Sequence, residues 1–196
     1  MGRPRKDAFD EATEVRVLRA AEEIFGERGY RAARLEDIAA VAGIRRPSLL
    51  YHFGSKGELY ARVVKRAFVS LRELVLQSIA AGGDYSARIS AVVSALLRFE
   101  AGNRRLVQVL FRELVDPEAE AGELVVAEFL PLVDMLERFV SEEGGGRLPP
   151  GLPVRAAIMQ LVMGHLARAS MGEVGDRLWG RDEDETARLA KLLLDP

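Results

Sequence analysis

The residues best equipped for chemistry crowd into positions 45–56. Arg45 and Arg46 supply planar cations, Ser48 a hydroxyl, Tyr51 a phenol, His52 an imidazole and Lys56 an ammonium, with the apolar ring of Pro47 among them. A guanidinium can bond guanine O6 and N7 side by side, and phenol, imidazole and ammonium groups donate to phosphate oxygens. Proline and tyrosine rings can touch thymine methyls or sugar. The set suits nucleic acid and does not suit catalysis. The chain has no cysteine and only two histidines, and no glycine-rich phosphate loop follows a strand. Paired acids such as Glu142-Glu143 and the run Asp182-Glu183-Asp184-Glu185 read as exposed helix ends. No enzymatic activity, metal site or cofactor is expected.

To work on DNA, these residues need a rigid mount, and the local pattern supplies one. A first helix is predicted from about Ala12 to Arg28, with Val17, Ala20, Ala21, Ile24 and Phe25 as its apolar stripe and Gly29 as its stop. A short second helix runs from Leu35 to Ala42, with Leu35, Ile38, Ala39 and Ala42 on one face. Gly43 permits the positive φ of a tight turn. A third helix then starts near Arg46, with Pro47 in its first turn, and ends near Phe53. Leu49 and Phe53, spaced i and i+4, point inward. Two short helices joined this way behind a supporting helix make a helix-turn-helix, whose last helix enters the major groove. Ser55, with Glu58 three residues on, caps a long fourth helix from Lys56 to about Ala80.

Charge agrees. Residues 1–66 hold 14 Lys and Arg against 10 Asp and Glu, whereas residues 67–196 hold 14 against 20. The front of the chain is the polyanion binder. Arg3, Arg5 and Lys6 form either a minor-groove arm or a solvated tail. The absence of cysteine points to a reducing, cytoplasmic setting, and the opening MGRPRKDAFDEA has no apolar run that would make it a signal peptide. The longest apolar stretch, Ala156 to Ala167, is too short to cross a bilayer.

These residues form a pattern. Leu35-Glu36-Asp37-Ile38-Ala39, Ala42-Gly43-Ile44, Leu49, Tyr51-His52-Phe53, Ser55-Lys56 and Glu58-Leu59 together resemble the DNA-binding signature of the tetracycline-repressor (TetR) family. The opening Gly2-Arg3-Pro4-Arg5 and the Phe25, Gly29, Tyr30 stretch are also similar. The resemblance covers roughly residues 10–66. It implies base contacts from Arg46, Pro47, Ser48 and Tyr51, and phosphate contacts from His52 and Lys56. Ala33 and Arg34 stand where Thr and Ser are usual, which removes a cap and a phosphate contact and leaves Arg34 to supply a charge. Arg45 replaces a common capping Ser, Pro47 a common Gly, and Leu50 a common Tyr. No segment alternates apolar and polar residues long enough to argue for a strand, so the chain reads as all-α, a three-helix head on a larger helical body. Residues 1–55 would form the DNA-binding head, and residues 56–196 a helical body that dimerises and binds a small effector.

The rest of the chain reads as helices from Tyr85 to Gly102, Arg104 to Val115, a long one to about Glu143 that Pro131 should kink or split, Val154 to Met171, and Asp182 to Leu194. Gly144 to Pro153 reads as a flexible loop. The Val154–Met171 helix is apolar on most faces, and with Leu189, Leu192 and Leu193 of the last helix it is expected to pair with its symmetry mate in a homodimer. The largest apolar side chains at inward positions, Phe99, Phe111, Phe129, Met135, Phe139, Met159 and Met163, together with His165, are the expected ligand pocket. Arg104, Arg105 and Arg112 are further polar anchors. The expected function is a repressor released from palindromic DNA by a mostly apolar molecule. The competing reading is an architectural or division-linked DNA-binding protein without a ligand, which a filled body core would favour.

Overall fold

The computed structural model describes residues 6–116, 120–180 and 184–196, and among these it is helical with no strand. In chain order the helices are α1 (Lys6–Ala32), α2 (Leu35–Val41), α3 (Arg46–Phe53), α4 (Lys56–Ala80), α5 (Tyr85–Gly102), α6 (Arg104–Val115), α7 (Gly122–Gly144), α8 (Val154–Met171), α9 (Glu173–Trp179) and α10 (Asp184–Leu194). The all-α architecture is the expected one. One apolar core runs from Val17 in α1 to Leu194 in α10.

The head folds as its periodicity requires. Val17, Ala21, Phe25, Ile38, Leu49 and Phe53 are all buried. Gly43 sits at φ 69° in the α2–α3 turn, a conformation that costs a residue with a Cβ. Gly29 leaves helical geometry at φ 74°, ψ 173°, so α1 breaks where the sequence indicated, although a further short turn continues to Ala32. The Glu58 amide donates to Ser55 Oγ at 3.1 Å, the expected cap of α4.

Three elements differ from expectation. Pro131 lies inside α7, which is not split. Its ring removes only the bond to the Ala127 carbonyl, and both residues face solvent, so water can replace the lost donor. The Gly144–Pro153 segment contains a 3-10 turn at Gly145–Arg147. An additional helix, α9, follows α8 directly. Gly175 lets it turn back closely, because a Cβ there would lie 2.3 Å from the Arg168 carbonyl oxygen.

Head and body meet where α1 crosses α6. A Cβ at Gly26 would lie 2.7 Å from Arg105 Cβ and 2.8 Å from its carbonyl oxygen, so the two backbones approach as only glycine allows. Arg112 Nη1 donates to the Phe25 and Gly26 carbonyls at 3.0 and 2.9 Å, placing a cation at the C-terminal end of the straight part of α1. Beside it, Tyr60 of α4 donates to Glu113 Oε1 at 2.5 Å, and Glu113 Oε2 accepts the Ala121 amide at 2.8 Å. Burial and the Glu113 carboxylate together push the Tyr60 phenol far above its usual range.

Gly26→Ala is expected to destabilise the fold by about 1–3 kcal/mol, because the clash outweighs alanine's better helix propensity of about 1 kcal/mol. Urea unfolding of the variant beside the parent measures this. At the far end of the body, burial and the nearby Asp195 raise the Tyr85 phenol to about 12, while its hydroxyl donates to the Leu194 carbonyl. The neutral form is the one the fold favours. Its contribution is therefore complete below pH of about 10 and is lost as pH rises through about 12. Tyr85→Phe should flatten the fall in stability over that interval in alkaline melts.

Candidate functional site

The α3 helix shows the solvent a continuous polar face. Arg45, Arg46, Pro47, Ser48 and Tyr51 are exposed, Tyr51 by 77% of its surface, while Leu49 and Phe53 anchor the other side. A tyrosine this open on an otherwise well-packed helix gains nothing from the fold. Arg34 is exposed at the N-cap of α2 and makes no side-chain cap bond; Arg45 makes none for α3. His52 is half-buried, edge-on to Tyr51. All eight residues from Arg34 to Lys56 singled out in the sequence thus belong to α2, α3 and their flanks. Arg3 and Arg5 lie outside the described residues.

Two of the cations have internal partners that the sequence did not reveal. Arg46 Nε sits 3.1 Å from Glu36 Oε1 of α2, with both side chains more than half exposed. Lys56 Nζ donates to the Arg31 carbonyl at 3.3 Å and lies 4.5 Å from the centre of the Tyr30 ring. An exposed pair such as Arg46–Glu36 stabilises by under about 1 kcal/mol, so DNA can take Arg46 from it cheaply. Lys56 is tied more firmly and ties α4 to the end of α1.

The body holds an apolar cavity among α4, α5, α6, α7, α8 and α10. Phe68 and Leu71, Ile89 and Leu96, Val107, Leu110 and Leu114, Phe129 and Leu136, and Leu161 supply most of its wall. Its open space is about 100 Å³. Of the expected pocket residues, Phe99, Phe129 and His165 line it; Phe111, Met135, Phe139, Met159 and Met163 do not. Phe139 instead packs its ring against Tyr85, under Arg88. Size alone favours phenylalanine and methionine, whereas the wall is built mainly of leucine and valine. Arg112 is occupied at the α1–α6 crossing, Arg105 meets α1 only through its backbone and Cβ while its exposed guanidinium donates to Gln108, and Arg104 lies on a separate polar basin. Among the described residues no cluster of His, Asp and Glu could hold a metal ion, and no helix is long and apolar enough to cross a membrane.

Helix α6 therefore has two working faces. Val107, Leu110 and Leu114, spaced i, i+3 and i+7, face the cavity. Arg105 and Arg112, seven residues apart, face α1 of the head.

Residues 17–63 match the family profile described as bacterial regulatory proteins, tetR family. The HTH-type transcriptional activator FasR of Mycolicibacterium smegmatis is 32% identical over 131 residues, 66% of this chain and 59% of that protein. The HTH-type transcriptional repressor BepR of Brucella suis biovar 1 is 32% identical over 138 residues, 67% of this chain and 62% of that protein. The chain carries the DNA-binding domain of the TetR family over residues 17–63. It spans about three fifths of the length of these two relatives. The fold likeness extends further. A transcriptional regulator FadR from Bacillus subtilis, solved in complex with stearoyl-CoA, superposes with a TM-score of 0.75 at 19% identity, covering 92% of this chain and 97% of that one. A TetR-like regulator from Rhodococcus gives a TM-score of 0.68 at 22% identity, covering 92% of each.

If Arg46 contacts DNA as the sequence leads one to expect, the α2–α3 geometry makes Glu36 its competitor. Glu36→Gln is expected to tighten binding to every duplex about two- to fivefold, since it removes a like charge from the surface and frees the guanidinium. Arg46→Ala should instead cost about 1–3 kcal/mol on the preferred sequence and little on others. Fluorescence anisotropy with matched and scrambled duplexes separates the two; equal behaviour of both variants on all sequences would remove Arg46 from base reading.

Proposed function

We propose that the protein is a cytoplasmic, homodimeric DNA-binding transcriptional repressor, released from a palindromic operator by a mostly apolar small molecule, and not an enzyme. The observation that carries this is the α3 face: Arg45, Arg46, Ser48 and the 77%-exposed Tyr51 stand together on a helix that turns Leu49 and Phe53 inward. Residues 1–55 act as the head, with Arg34, Arg45, Arg46, Pro47, Ser48, Tyr51, His52 and Lys56 contacting DNA. Residues 56–196 act as the body. Relatives named as regulators support the reading, and because FasR is named an activator and BepR a repressor, the sign rests on the operator's position.

The ligand site is the apolar cavity. Ligand pockets usually offer about 300–1,000 Å³, so a molecule of ordinary size must part the helices around a space of about 100 Å³. Val107, Leu110 and Leu114 would move first, and α6 carries Arg105 and Arg112 with it against α1. The heads then lose the spacing of about 34–36 Å that successive major grooves demand. The ligand acts only through its preference for the parted form. That a fold neighbour was solved with stearoyl-CoA supports an alkyl-chain ligand. An architectural role without a ligand fits a filled core better than this one.

The dimer would use α8 and α10. Only Ala157 and Ile158 of α8 are buried in the single chain, although the helix is apolar on most faces, and Leu189 and Leu192 of α10 are 49% and 67% exposed. A two-fold four-helix interface would cover them.

Anisotropy titrations against the DNA flanking the gene test the whole reading. Steeply salt-dependent binding to a palindrome, relieved by an alkyl-chain compound, is expected. Arg112→Met should preserve ligand binding while reducing the ligand-induced loss of operator affinity at least about tenfold, since coupling energies run to about 1–3 kcal/mol. Ala167→Glu should give a chain mass in light scattering; a parent mass of 21.6 kDa at micromolar concentration would rule the dimer out.

A further inference from the structure

The apolar cavity has one polar end. Its wall carries two charged or ionisable side chains, Glu100 of α5 and His165 of α8, with Thr186 beside them. The same Glu100 and His165, with Leu97, also line a second, polar basin of about 470 Å³ bounded by Arg104, Arg168, Gly172, Glu173 and Asp176. The pair is thus the partition between an oily chamber and a wet one.

The partition is poorly bonded. His165 Nε2 is buried and lies 2.7 Å from Glu100 Oε2, a contact that is close in distance and does not meet hydrogen-bond geometry. Its other nitrogen reaches Thr186 Oγ1 only at 3.5 Å. A buried donor without an aligned acceptor is costly, and an acceptor placed correctly would relieve it. A ligand lying along the cavity would bring its first polar atom to this point.

Resting on the alkyl-chain reading above, we infer that the site takes a hydrocarbon tail joined through an uncharged carbonyl linkage to a polar head, and rejects the free fatty acid. The tail fills the apolar chamber. The linkage carbonyl accepts from His165 Nε2, and the head lies in the basin, whose lining of Arg104, Glu173 and Asp176 carries both signs of charge. A free carboxylate would stop at the partition, within a few ångströms of the Glu100 carboxylate and inside an apolar wall, where like charges repel strongly. Glu100 is then the specificity-determining residue and His165 the positioning donor. A thioester, a lysophospholipid ester and a simple amide share this chemistry.

The test uses the full-length protein and three twelve-carbon probes below their micelle concentrations: lauroyl-CoA, lauroyl-lysophosphatidylcholine and laurate. Affinities come from calorimetry. Emission of Trp179, the single tryptophan, reports on α9 beside the basin. At least one carbonyl-linked probe should bind about tenfold or more tighter than laurate and shift the Trp179 emission. Glu100→Gln should tighten laurate about tenfold and change the preferred probe less than about threefold. His165→Ala should weaken the preferred probe and leave laurate unchanged; unaltered operator affinity in both variants shows that they fold. Binding of laurate as tight as the tighter of the two linked probes, or a ratio indifferent to Glu100→Gln, overturns the inference while leaving the alkyl-chain reading intact. Failure of all three probes to bind overturns both.

Discussion

The structure turns on the crossing of α1 over α6 at Gly26. Without a side chain there, the backbone of α6 comes within ordinary van der Waals reach of α1, and Arg112 can place its guanidinium on the Phe25 and Gly26 carbonyls just before the break of α1 at Gly29. Everything in the head is then referred to the body. The break sends the chain to α2 at an angle fixed by Tyr30, whose ring lies against both Phe25 and Tyr60. Lys56 closes the same joint from α4 by bonding the Arg31 carbonyl. The direction of α3 therefore follows from contacts made some distance behind it, and on the proposed mechanism a shift of α6 would change where Tyr51 and Arg46 point.

The same crossing explains why a buried acid is tolerated nearby. Glu113 is 7% exposed, and it accepts from both the Tyr60 hydroxyl and the Ala121 amide. Charge-assisted bonds of this kind offset burial only when the acceptor's lone pairs are used. The result fixes α6 to α4 and to the start of α7 together, so that α6 has a hydrogen-bonded end near the head and an apolar face toward the cavity.

The head was legible in the sequence because its determinants are local. Apolar spacing in Leu35–Ala42, glycine at the α2–α3 turn, proline in the first turn of α3 and the Ser55 cap act within a few residues of one another. The body's helices were legible for the same reason, except α9, seven residues long and dependent on Gly175 meeting the Arg168 carbonyl across a turn. The cavity was not legible. Large side chains such as Phe139, Met135 and Met159 fill space well and so end in the core, whereas a cavity appears where helices diverge, a property of their crossing angles. Nor could spacing reveal that Arg112 is committed to carbonyls 86 and 87 positions earlier, or that His165 faces Glu100.

The energy needed to work such a joint is modest. Two bonds from a guanidinium to carbonyls contribute about 1.5–3 kcal/mol each, and loosening rather than breaking them costs a fraction of that. A coupling of about 1–3 kcal/mol between two sites is typical. Each methylene transferred from water into an apolar wall returns about 0.8 kcal/mol. Two to four methylenes accommodated only when α6 has moved are therefore enough to tilt the equilibrium, and those that fit without movement contribute affinity alone. On the proposed ligand reading, the wall of Val107, Leu110 and Leu114 would set a threshold in chain length as well as a preference for apolar ligands. Tails too short to press on it would bind without effect, and the response would begin with the first carbon that α6 must yield to.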